Sequence, residues 1–106
     1  MTKVSEITYL DIANYLRVDV LNDSILEKEL NTYLKVAKDF ISNYTGIPES
    51  SESEEDETLD SYPDFIIVIY ILCQSMYDDR TMYVDSKSIN YTVQTILDMH
   101  RRNNIW

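Results

Sequence analysis

The chain has 106 residues, 19 acidic and 9 basic side chains, a net charge of −10 and a 44% hydrophobic fraction with nine Tyr, one Gly and two Pro. That length fits one domain with one core, and so little Gly and Pro excludes collagen-like chains and most turn-rich β folds. The apolar content excludes a wholly disordered acidic chain, while the excess of acids argues against sequence-specific nucleic acid or an anionic membrane as partner.

The N-terminal stretch Met1 to Leu10 lacks the basic start and apolar run of a secretory signal. A first, short helix is expected over Ile7 to Leu16, started by Thr8 with Asp11 three residues on, close to a capping box. Leu10, Ile12, Ala13 and Leu16 form its expected buried side. After Arg17 the pattern breaks, and Asn22 or Asp23 can cap the next helix.

That second helix, Ser24 to Tyr44, carries the clearest pattern. Leu26, Leu30, Tyr33, Leu34, Ala37, Phe40, Ile41 and Tyr44 follow one another in steps of three and four, which keeps one apolar stripe over the helix length. Gly46, with Pro48 just beyond, marks its stop as a left-handed cap.

Glu49 to Asp60 reads ESSESEEDETLD, with seven acids, Glu49, Glu52, Glu54, Glu55, Asp56, Glu57 and Asp60, and no base. Such a segment buries too little to offset ordering and is expected as a mobile acidic loop. The turn Gly and the Asp-x-Asp-x-Asp pattern of a Ca2+ loop are absent from it, so a solvated loop is preferred to a metal site. Counted to Asp64, this region holds eight acids, which leaves the rest of the chain nearly neutral.

Pro63 suits a first helical position, and Phe65 to Cys73 is a run of nine apolar residues, too short to span a bilayer. Its β-branched residues also suit a buried strand. Helix is chosen because a lone strand has no partner, and a helix apolar nearly all round belongs at the centre of the fold or against a neighbouring subunit. The single cysteine, Cys73, excludes an internal disulfide, fits a reducing compartment and reads as a buried, unreactive thiol.

A fourth helix is expected over Asn90 to Arg101, capped by Asn90, with Val93, Ile96, Leu97 and His100 on one face and Arg101 and Arg102 in the last turn. His100 is the only histidine and reads as structural or surface-exposed. The tail ends in Ile105 and Trp106, expected as an anchor on a partner. The fold class is therefore all-α: a small four-helix domain with a long second helix, a central apolar third helix and an acidic loop between them. No phosphate loop, paired cysteine, His-x-x-x-His or nucleophile elbow occurs in the sequence. No enzymatic activity, metal or cofactor is expected.

The residues YLRVD at Tyr15 to Asp19, NYTG at Asn43 to Gly46, MYDDR at Met76 to Arg80 and ILDMHRR at Ile96 to Arg102, in that order and spacing, resemble the head-tail connector (adaptor, or head-completion) family of tailed bacteriophages. The resemblance covers most of the chain. It implies a structural virion protein at the head-tail junction, assembled in the host cytoplasm. Its partners would be other copies of itself in a ring, dodecameric in the virion, the portal protein, and the next neck or tail-completion protein. Tyr15, Leu16, Arg17, Gly46, Tyr77 and Arg80 are the residues that match the family's pattern. Core packing and a salt bridge of Arg17 or Arg80 are preferred for them over direct partner contact.

In a ring, the acidic loop could face the lumen and repel DNA, or lie outside as a solubilising loop. Arg101, Arg102, Ile105 and Trp106 are expected to dock on the portal. The competing class is a small acidic regulator or DNA mimic that occupies a basic site on a host protein.

Overall fold

A computed structural model describes residues 3–49, 58–80, 84 and 89–101. Its helices are α1 (Tyr9–Leu16), α2 (Ser24–Thr45), α3 (Asp64–Asp79) and α4 (Tyr91–Met99), with short 3-10 turns at Val4–Glu6 and Leu59–Ser61, and no strand among the described residues. The protein is a small all-α, four-helix domain.

The helix starts follow local chemistry. The Thr8 hydroxyl accepts from the Leu10 N–H at 3.3 Å and the Thr8 N–H donates to Asp11 at 2.9 Å, so α1 begins at Tyr9 rather than Ile7. Asp23 caps α2 through the Leu26 N–H, and Asn90 caps α4 through the Val93 N–H, each at 2.9 Å. Pro63 occupies the cap of α3 and not its first turn.

The helix ends differ in residue type. Gly46 ends α2 at φ 79°, the left-handed conformation that a missing Cβ makes inexpensive. Arg17 and Arg80 end α1 and α3 in the same conformation, at φ 61° and 54°. At Arg17 the turn closes with the Val18 N–H donating to the Ala13 carbonyl at 3.0 Å, the longer bond of a Schellman motif.

α2 and α3 form the central pair, with α1 packed on both and α4 packed on both. They run antiparallel: Arg80 at the end of α3 reaches Glu29 near the start of α2. The core is built from Leu30, Tyr33, Ala37 and Ile41 of α2 facing Phe65, Val68, Ile69, Leu72, Cys73 and Met76 of α3, with Ile12, Val93 and Leu97 closing it from the sides. Val4, outside any expected element, and Ile7, which precedes α1 instead of starting it, are also buried. Burial raises the Cys73 thiol to about 12, as an inert core thiol requires.

Three expectations change. Leu10, assigned to the buried side of α1, is 52% exposed, because the face of α1 that meets the core is centred on Ile12, Ala13 and Leu16. α3 is central but not enclosed: Ile67 is 53% exposed and Ile66, Tyr70 and Ile71 are half-buried, since α1, α2 and α4 leave the side around Ile67 uncovered. α4 stops at Met99 with His100 as its cap, so Arg101 follows the helix instead of lying in its last turn.

The acidic stretch is also shorter as a loop than expected at its end. Leu59 is fully buried and its N–H donates to the Pro48 carbonyl at 3.1 Å. Asp60 accepts from both the N–H and the hydroxyl of Ser5, each at 2.7 Å. One apolar side chain and one doubly bonded carboxylate thus pin this turn to the N-terminal segment. Glu49 is exposed, while Glu52, Glu54, Glu55, Asp56 and Glu57 lie outside the described residues.

Candidate functional site

Side-chain interactions and surface shape mark three places among the described residues, one at each end of the α2–α3 pair and one at the α1–α2 connection. At the first, the Arg80 guanidinium pairs with Glu29 and stacks on Tyr77, 4.3 Å from the ring centre. The left-handed backbone at Arg80 turns its side chain back over α3, so one residue ends that helix and ties it to α2. Beneath it lies Tyr33, fully buried, whose hydroxyl sits near Glu29 and Arg80 without hydrogen-bond geometry to either. Burial, followed by the Glu29 charge, pushes this phenol up to about 12.

At the second place, α4 meets the opposite end of the pair. The His100 ring lies 4.0 Å from the Tyr62 ring and edge-on to Phe65 at 5.2 Å, while its Nε2 is 3.2 Å from an Asp64 carboxylate oxygen. His100 is therefore a structural histidine. The Tyr44 hydroxyl donates to Asp98 at 2.8 Å, and Arg101 stacks 5.0 Å over the Tyr44 ring. The Asp98 hydrogen bond, with burial second, raises the Tyr44 phenol. This cluster fixes where the chain leaves α4; Arg102, Ile105 and Trp106 lie outside the described residues.

At the third place the connection from α1 to α2 leaves a surface groove of about 700 Å3. Ala13, Val18 and Val20 line it beside Leu10 and Leu21, and its charged lining residues are Asp19, Asp23 and Glu27, with no Lys or Arg. Leu21 is 76% exposed, and Ile25, next to the lining residue Ser24, is 79% exposed. Glu27 holds the Tyr9 phenol above its usual range, chiefly through a hydrogen bond.

The family-pattern residues are thus divided among several tasks. Tyr15 stacks on Tyr70 of α3 at 4.8 Å with the rings nearly parallel, tying α1 to the central pair. Leu16 packs against the core, Gly46 caps α2, and Tyr77 and Arg80 form the first place. The expected salt bridge is made by Arg80; Arg17 has no ion pair among the described residues and serves as a helix cap. Sequence reading missed the polar contacts around Glu29, Tyr33 and Asp98, although Tyr33 stood in its α2 stripe, and it missed the groove. The first three lie more than 50 positions from their partners, or under them in space, and Leu21 and Ile25 fall off the α2 stripe.

The chain matches no family model, no curated protein and no solved structure.

Proposed function

We propose that the chain is a structural, non-enzymatic subunit of a tailed-phage head-tail connector, forming a ring under the portal that extends the DNA channel and carries the next neck or tail-completion protein. The observation that supports this reading is the spread of its exposed apolar side chains over different elements. Leu10, Leu21 and Ile25 stand around the α1–α2 connection, Ile67 with the half-buried Ile71 on the outer side of α3, and Tyr91 and Met99 on α4. A closed ring is made by heterologous contacts, which need two different patches on each subunit. The order of the elements, a short helix, a long one, a central apolar one and a closing one, is the order the resemblance implies.

In a ring, acids of the 49–60 stretch that line the lumen repel DNA phosphates over a Debye length of about 8 Å, whereas on the outside they solubilise the ring. Asp60, held by Ser5, is fixed to the body at the root of that segment. The test is assembly with the portal protein, followed by light scattering and negative-stain microscopy. Rings, or assembly that depends on the portal, are the expected outcome. A one-to-one, salt-sensitive complex with a basic host protein, and no portal binding, would replace this reading with that of an acidic regulator.

A further inference from the structure

We propose that the α1–α2 groove receives the Arg102–Trp106 segment of a second copy of the chain, so that tail into groove is the contact between subunits. Of the proposed function, this rests only on self-association and not on the portal.

The two surfaces are complementary. The groove is apolar at its walls, through Ala13, Val18 and Val20, and all its charged lining residues are acids. The segment RNNIW offers one base, a branched aliphatic and a Trp, and no acid. Trp and Arg are the residue types that most often anchor an interface, and an apolar pocket edged by opposite charge is what such an anchor fits. A volume of about 700 Å3 lies within the range of sites that enclose large side chains. The exposed Leu21 and Ile25 would be covered by the same contact.

The segment cannot fill the groove of its own chain. Arg101 is held over Tyr44, at the end of α2, whereas the groove includes Ser24 and Glu27 at its start. From Tyr44 back to Glu27 the helix rises roughly 25 Å at 1.5 Å per residue. A second ruler agrees: His100 lies on Asp64 at the start of α3, and Arg80 at its far end pairs with Glu29, again about 24 Å away at that rise. The five residues from Arg102 to Trp106 reach at most about 17 Å when fully extended. The occupant therefore comes from another molecule. One groove and one tail per subunit, at opposite ends of the α2–α3 pair, make a head-to-tail contact that propagates and closes where the rotation allows. The sequence alone aims this tail at the portal; the groove gives it a neighbour instead.

The experiment titrates a synthetic Arg101–Trp106 peptide into the full-length, methyl-labelled chain while NMR follows the groove. Shifts concentrated at Leu10, Val18, Val20 and Leu21 are expected, with binding at least tenfold weaker to a Leu21→Asp chain. That substitution lies in an exposed connection, and an unchanged circular dichroism spectrum verifies its fold. No shift at the groove with millimolar peptide, or equal binding by Leu21→Asp, would overturn the inference. Portal binding by the Trp106→Ala chain separates the two proposals. Portal binding that depends on Trp106, without groove shifts, assigns the tail to the portal and leaves the connector reading standing. Groove shifts in a chain that never binds portal keep the tail contact and remove the connector reading.

Discussion

The two ends of the α2–α3 pair are held by different physics. At the α2 start, one guanidinium clamps Glu29 and covers Tyr77, and its charge is permanent because an arginine does not lose its proton in proteins. At the α2 end, three aromatic side chains, Tyr62, Phe65 and His100, form a stack whose ionic contact to Asp64 exists only when the imidazole is protonated. The first end joins two helices that already share a core, whereas the second docks α4, a nine-residue helix with only Val93 and Leu97 fully buried. A short helix needs buried ring surface to stay in place, and a long paired helix does not.

The largest blow to this contrast is Phe65→Ala. Removing a fully buried ring that touches both Tyr62 and His100 should cost about 3–5 kcal/mol and release α4, seen as a lower urea midpoint and faster amide exchange over Tyr91–Met99.

Next is the alkaline limb of the Arg80 end. A phenol raised from 10 to about 12 favours the folded state while neutral. Tyr33 should therefore contribute its full share below pH 10 and lose roughly 2–3 kcal/mol as pH rises through about 12. Urea stability of the wild type should fall more steeply between those values than that of Tyr33→Phe. At neutral pH, where the substitution deletes a buried hydroxyl without a partner, Tyr33→Phe should be as stable as the wild type or slightly more so.

A smaller effect is expected at the α4 end from Tyr44→Phe. Loss of the hydrogen bond to Asp98 should cost about 1 kcal/mol in denaturant unfolding, far below the Phe65→Ala value. An equal loss would mean that polar contacts, and not ring burial, dock α4.

The smallest change, and one of opposite sign, separates capping from clamping. Arg17→Gly should stabilise by roughly 0.5 kcal/mol, because relief of left-handed strain slightly exceeds the added entropy of Gly in the unfolded chain. At Arg80, where the side chain also pairs with Glu29, Gly should lower the melting temperature, though less than Ala does.

The sequence by itself determined the elements. Thr8, Asp23 and Asn90 start their helices through bonds made within three residues, Gly46 stops α2 through its own backbone freedom, and the α2 stripe faces the core as its spacing requires. These features act over one turn, so they are legible in a linear pattern. Tertiary structure alone decided what crosses between elements. Arg80 finds Glu29 and Tyr44 finds Asp98 more than 50 residues away, and the exposure of Leu10 and Ile67 follows from which sides of α1 and α3 meet a neighbour. The groove belongs to this second kind, for it exists only where the α1–α2 connection packs. Periodicity states that a helix has an apolar side, but the number of neighbours decides how much of that side is covered.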